Sequence, residues 1–441
     1  MQAKVEPGWR FWLLAVLLGG GAALSLGTAL LFLVLGLAMA APLLGLPQGS
    51  AGSFLNIAFT SAFVGTVMLV GLFWLIRPPV ATAAETAAGQ RRLALASLAM
   101  LIWLPLVGLF RVVESSALAW LLLPPLVVIG AVIPAWFLIE LARRGLNVLP
   151  RGRSWQILSV SFALTIPLTL LLSLVMLAVF VVVLGVYLNT QPQLLADLQR
   201  FFEQFDPADV DLQQLELIAN QILANPVIVA LLISLVAGVT PLLEELLKPL
   251  ALWLYAGDRL SPAQGFVGGA LCGAAFGLWE NLSALAGAGN GGGVLILVAR
   301  IGSLLLHTTA TAIFGWGLAS FWAQRRYWGR LVGSYLLAVG LHAFWNLFGV
   351  LSAVPVTPRL PLLNRLPVTD QTFNPLWLVL PGMALLNLLL LVWMNYRLQR
   401  EAQTAIRLAH PSQTDSPAAG TAQNQPAADE RMEDILSNRN T

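Results

Sequence analysis

Ten apolar runs, each long enough to cross the hydrocarbon core of a bilayer, dominate this chain: approximately residues 11–40, 54–76, 93–110, 118–139, 157–186, 225–255, 263–287, 293–322, 331–352 and 376–396. A membrane helix needs about 20 predominantly apolar residues. In lipid each backbone N–H and C=O must be paired internally, which leaves helices as the spanning form for runs of this length. Composition agrees: 58% of the 441 residues are hydrophobic and 10% are charged, against about 45–50% and 25% in soluble domains. So few charges cannot cover a water-exposed surface of that size. The expected fold class is all-α, a polytopic membrane helical bundle of about ten transmembrane helices.

Lys4 and Arg10 precede the first run as the charged region of a signal peptide would, yet no charge follows until Arg77. That is too long for a cleaved segment, so 11–40 reads as an uncleaved first span with 41–48 as a re-entrant tail. With the N-terminus cytoplasmic, the inside segments carry 18 of the 24 Lys and Arg residues. The outside segments carry four (Arg111, Arg200, Arg359 and Arg365), and Lys248 and Arg300 fall within spans. This bias follows the positive-inside rule and puts the N- and C-termini in the cytoplasm. The net charge is only +3, with basic residues spread along membrane boundaries, so no nucleic-acid partner is expected. A single cysteine, Cys272, excludes an intramolecular disulfide or a Cys-x-x-Cys site; it reads as a packing residue.

Five regions follow: a five-helix membrane region over 1–188, an extracytoplasmic segment over 189–224, a four-helix core over 225–352, an outer loop and last span over 353–396, and a disordered cytoplasmic tail over 397–441. The 189–224 segment sets Asp197, Glu203, Asp206, Asp209, Asp211 and Glu216 against Arg200 alone. Its apolar residues recur at helical spacing, with a break at Pro207 and a second helix through 212–224, as a lid, a docking element or a solvated connector. No internal repeat is legible, which disfavours a repeat-built transporter.

An ionisable residue at mid-bilayer costs about 2.5–3.5 kcal/mol on insertion scales, so such residues read as functional by default. Glu244, Glu245, Lys248, Glu280, Arg300, His307 and His342 all lie in four consecutive spans, whereas the first five spans carry no interior charge. Glu244 and Glu245 stand four and three residues before Lys248, so the lysine reaches either carboxylate on one helix face. Adjacent glutamates point about 100° apart, which suits different tasks. Pro241 and Pro249 interrupt the helical ladder on each side. In the next span Gly269, Gly273 and Gly277 form a seam for close helix approach, and Phe276 and Glu280 lie beside it. His307 follows Arg300 by two turns, and His342 and Asn346 share a face. Arg300 could reach the outer interface by snorkelling and is left out of the candidate site. By span centre, Glu244 and Glu280 sit about 6 and 7 Å to opposite sides of the midplane. A tilt, a break at Pro241 or a supporting role for Glu280 would reconcile them.

These motifs, Glu244-Glu245-x2-Lys248, Phe276-x3-Glu280, an isolated His307 and His342-x3-Asn346, resemble in order and placement those of the PrsW-type intramembrane proteases. That family is related to the group of CAAX prenyl endopeptidases and bacteriocin-processing enzymes. The wider group shows Glu-Glu-x3-Arg and Phe-x3-His, so Lys248 and Glu280 favour the PrsW branch. The resemblance covers about 225–352. It implies an endopeptidase in a bacterial cytoplasmic membrane that cleaves membrane-anchored protein substrates such as anti-sigma-factor-like regulators, with the lipid bilayer as its other partner.

Peptide hydrolysis inside a bilayer requires a base for water and a donor for the oxyanion. The expected assignment gives the base to Glu244 or Glu245 aided by His307, and the oxyanion to His342 and Asn346. Lys248, Glu280 and Phe276 support them. This version needs no cofactor. A metal version uses His307, His342 and Glu245 as three ligands of Zn2+ with a fourth position for water. Outside the protease class, the same buried groups suit a proton- or ion-coupled secondary transporter, or an inactive scaffold that binds single-span proteins.

Overall fold

The structure is a computed structural model that describes residues 8–40, 48–77, 85–146, 149–204, 222, 224–256, 260–287, 293–353, 366–368, 371–373 and 376–409. The chain divides into Met1–Leu398 and Gln399–Thr441. Helices α1 (Trp9–Ala40), α2 (Gln48–Ile76), α3 (Glu85–Glu114) and α4 (Ala119–Arg143) are followed by α5 (Arg151–Val160) and α6 (Ile166–Leu188). Next come α7 (Pro192–Gln204), α8 (Pro226–Ile233), α9 (Thr240–Leu247), α10 (Leu250–Trp253), α11 (Pro262–Gly287), α12 (Gly293–Ala323), α13 (Trp328–Ala353) and α14 (Leu376–Ala409). A short antiparallel pair, β1 (Leu366–Val368) and β2 (Gln371–Phe373), sets Pro367 opposite Thr372 between α13 and α14.

Among the described residues, nine helical spans are long and apolar enough to cross a membrane. Two are composite: α5 and α6 form Arg151–Leu188, and α8 to α10 form Pro226–Trp253. The tenth expected span is α11, 26 residues rich in glycine and alanine. It is buried along most of its length, with Phe266, Ala270, Cys272, Ala275, Leu278 and Leu282 all in the core. A helix enclosed by protein needs small residues for close packing more than lipid-facing bulk.

Side-chain hydrogen bonds tie the spans to one another. The Trp103 indole donates to the Gly130 carbonyl at 2.8 Å and the Ser159 hydroxyl to the Val67 carbonyl at 2.7 Å. Asn395 of α14 donates to the Ala142 and Arg144 carbonyls at 2.8 and 2.9 Å, satisfying the end of α4. Asn225 caps α8 by accepting from the Val227 amide at 3.0 Å, and the Tyr187 hydroxyl donates to the same oxygen at 3.1 Å.

Both composite spans change winding before a proline. A π-turn over Ser161–Thr165 precedes Ile166-Pro167, and another over Ser234–Val239 precedes Thr240-Pro241. Beyond Leu247 the chain breaks at Lys248-Pro249 before α10. The disturbance expected from Pro241 and Pro249 is therefore present on both sides of the glutamate pair. Two expectations differ in extent. The last helix runs to Ala409, into the tail expected from 397, while 410–441 lie outside the described residues. In the acidic segment α7 is helical, whereas 41–47 and nearly all of 212–224 fall outside the described residues.

Candidate active site

Four helices bring the costly polar residues together. The α9 turn supplies Glu244 and Glu245, with Lys248 at its end; α11 supplies Phe276 and Glu280, α12 supplies His307, and α13 supplies His342. The α11–α12 approach depends on glycine. A Cβ on Gly273 would collide with the His307 carbonyl, so the absence of a side chain there sets how closely His307 stands to α11.

Lys248 is the centre of the cluster. Its side chain is fully buried, and Nζ donates to Glu245 Oε1 at 2.6 Å and to His307 Nδ1 at 2.8 Å. Glu244 Oε2 and His342 Nδ1 each lie 3.4 Å from the same nitrogen, and the Phe276 ring centroid is 4.4 Å away, a cation–π contact. The glutamates divide their tasks. Glu245, fully buried, takes Lys248 on Oε1 together with His342 Nδ1 at 2.9 Å, and accepts the Thr311 hydroxyl on Oε2 at 3.4 Å. Glu244 is 8% exposed, and its buried Oε2 makes no hydrogen bond, facing Lys248 and, at 3.9 Å, His342 Nε2.

The two imidazoles lie edge to face with centroids 5.0 Å apart. Glu280 Oε2 lies 2.7 Å from His307 Nε2. A proton on Nε2 and a lone pair on Nδ1 satisfy both the carboxylate and the lysine, so the neighbours define the tautomer. His307 thus spans the depth gap between the glutamate pair and Glu280. The latter reaches the cluster through the far side of the ring.

Arg300 turns toward the cluster rather than the interface. It holds Glu280 through Nη2 at 2.9 Å and Asn281 through Nε at 3.0 Å, because a half-buried carboxylate on the neighbouring helix offers a better partner than the interface. Asn346 is also placed differently. Its amide donates to the Val236 carbonyl at 2.9 Å, inside the π-turn. There Thr240 N–H bonds Leu235, and the next donor in that register would be residue 241, a proline without an N–H. Asn346 supplies the missing donor, so its amide is engaged with the backbone of the π-turn. Sequence reasoning passed over Ser303, 3.2 Å from His307 Nε2, and Thr311. Both stand one helical turn from His307, a spacing visible in the chain.

One ligand atom from each of Glu245, His307 and His342 lies within 4.8 Å of the others, and all three side chains are buried. A carboxylate and two imidazoles are the donor types of catalytic zinc. His307 meets a further requirement of such ligands by giving its second nitrogen to a carboxylate. Three carboxylates (Glu244, Glu245, Glu280) face two basic side chains (Lys248, Arg300), an excess of one formal negative charge that suits a cation. The set fits a metal ion, which would contend with the Lys248 ammonium for the same oxygen and nitrogen atoms.

Fold and site together define a polytopic membrane protein whose own helices enclose a polar centre of the kind hydrolases use. Residues 166–369 match the PrsW family, described as intramembrane metalloproteases. The resemblance drawn from the four motifs is borne out by this match, which extends over a region wider than the motifs alone span and supports an intramembrane protease. Comparison with curated proteins and with solved structures gave no significant match.

Proposed function

We propose that the protein is an intramembrane endopeptidase whose water is activated by Glu244, acting on membrane-anchored proteins of a bacterial cytoplasmic membrane. The carrying observation is the convergence of Glu244, Glu245, Lys248, His307 and His342 from three separate spans. In this reading 225–352 is the catalytic core, 1–188 the supporting membrane region, 189–224 an extracytoplasmic lid or docking segment, and both termini are cytoplasmic. Glu244 takes the proton of the attacking water as its oxygen bonds to the scissile carbonyl carbon, and passes that proton to the amine as the C–N bond breaks. Lys248 and His342 donate toward the oxyanion. Glu245 holds Lys248 and His342 in place, and Glu280 with Arg300 holds the His307 tautomer. The family likeness suggests regulators such as anti-sigma factors as the substrate class.

The donor set favours a metal-dependent form of the same enzyme, with Zn2+ held by Glu245, His307 and His342. When bound, zinc would supply Lewis-acid polarisation and a water acidified toward neutrality. Glu244, adjacent to a ligand yet outside the set, keeps its role as base in this form.

Glu244→Gln and Glu245→Gln should each abolish cleavage of a reconstituted single-span substrate, with membrane insertion unchanged. Turnover at the wild-type rate by Glu244→Gln would remove the base from this assignment. Metal analysis of the purified protein, with chelator treatment of the same sample, separates the two forms: the zinc form requires about one equivalent and loses activity on chelation.

A further inference from the structure

A cavity away from the carboxylate cluster has a volume of about 450 Å³, within the range of about 300–1,000 Å³ of small-molecule sites. It lies among α2, α3, α4, α5 and α11. Its interior is apolar, with Phe63, Val132, Ile139, Leu158, Leu271 and Leu278 among its walls. Its polar residues gather at one end: Arg92, Glu140, Arg143 and Arg151.

The polar end sits at headgroup depth. Arg92 lies near the start of α3, Arg143 at the end of α4 and Arg151 at the start of α5, so all three mark one boundary of the bundle. Trp74 and Trp155 line the same end, as aromatic residues do where hydrocarbon meets headgroups. From Val132 to Arg143 along α4 the walls extend about 16 Å at 1.5 Å per residue. An acyl chain fits a slot of that length and polarity.

Charge decides the class of headgroup. Three arginines face one glutamate, a formal excess of two positive charges. Glu140 is buried and meets Arg92 Nε at 3.4 Å. Arg92 Nη1 is buried and makes no hydrogen bond, although leaving a buried donor unmet is costly. Arg143 gives Nη2 to the Leu149 carbonyl at 3.2 Å, which holds its guanidinium at the mouth. Guanidinium groups match phosphate oxygens with paired donors, and here an anionic phosphate would also meet the surplus charge.

We propose that this cavity is a binding site for an anionic phospholipid of the surrounding bilayer, with one acyl chain between α2, α4 and α11 and the phosphate on Arg92 and Arg151. The site is distinct from the catalytic cluster. It shares α11 with it, since Leu271, Ala274 and Leu278 line the cavity while Phe276 and Glu280 serve the cluster.

Native mass spectrometry of the full-length protein in detergent, titrated with palmitoyl-oleoyl phosphatidylglycerol or phosphatidylcholine, tests this. The wild type should bind the anionic lipid at least tenfold more tightly. Arg92→Gln and Arg151→Gln should reduce that preference toward unity, and Ala135→Phe, which fills the tail slot, should lose both lipids. Thermal unfolding checks each variant. Because Arg92→Gln also strips the buried Glu140 of its partner, the exposed Arg151→Gln decides the headgroup assignment. Equal binding of the two lipids by the wild type, or an unchanged preference in folded Arg151→Gln, would overturn the proposal. Displacement of phosphatidylglycerol by glycerol phosphate at equal concentration would also overturn it, by making the site one for free phosphate.

Discussion

Replacing Lys248 with methionine keeps most of the side-chain volume and removes the ammonium. Four polar atoms lie within 3.4 Å of that nitrogen, the nearest being Glu245 Oε1 at 2.6 Å, and both side chains are fully buried. Removing one partner of a buried pair leaves an uncompensated charge and costs about 3–5 kcal/mol. An exposed pair such as Arg200 with Asp197 is worth about 0–1 kcal/mol, which makes Arg200→Gln the matched control. Unfolding of detergent-solubilised protein should show Lys248→Met destabilised by about 3–5 kcal/mol and the control almost unchanged. Adding Glu245→Gln to Lys248→Met should recover part of the loss, because a neutral amide no longer needs the cation. The two substitutions then couple rather than add, as residues in one network do. A Lys248→Met protein within 1 kcal/mol of wild type, or a double variant whose losses sum, would refute the picture of lysine as the cation that holds this centre together.

Two further outcomes follow from packing and backbone accounting. Gly273→Ala should cost about 1–3 kcal/mol through overpacking and reduce cleavage by pushing α12 and His307 away, whereas Gly108→Ala, with open space around it, should be neutral or mildly stabilising; unfolding and cleavage assays on both variants check this. Asn346→Ala should lower stability by about 1–3 kcal/mol by orphaning the Val236 carbonyl while folded protein keeps most of its cleavage rate; a fall of about 10²–10³ in turnover at unchanged folding would return Asn346 to the oxyanion role.

Membrane insertion and the identity of the polar residues were legible in the chain because both depend on local cost. A run of apolar side chains partitions into lipid whatever its neighbours do, and a charge inside such a run is expensive enough to mark itself. Spacing along one helix was equally local, and it correctly joined Lys248 to both glutamates. Legible too was α11, expected over 263–287 and found over Pro262–Gly287, although its glycine and alanine content lowers its apolarity.

Only packing decided which charges met. Arg300 had two outlets, the interface and the neighbouring helix, and the rotation of α12 against α11 gave it Glu280. The likeness of Glu244 and Glu245 in sequence conceals a difference in partners: Glu245 holds Lys248, His342 and Thr311, whereas Glu244 Oε2 makes no hydrogen bond. Asn346 was claimed by a carbonyl that becomes needy only when the chain winds into a π-turn ahead of Pro241. Sequence thus determined which groups must escape the lipid, since transfer cost belongs to each residue. Tertiary structure determined where each escaped to, since hydrogen bonds between helices depend on rotation, depth and the few ångströms that a missing Cβ allows.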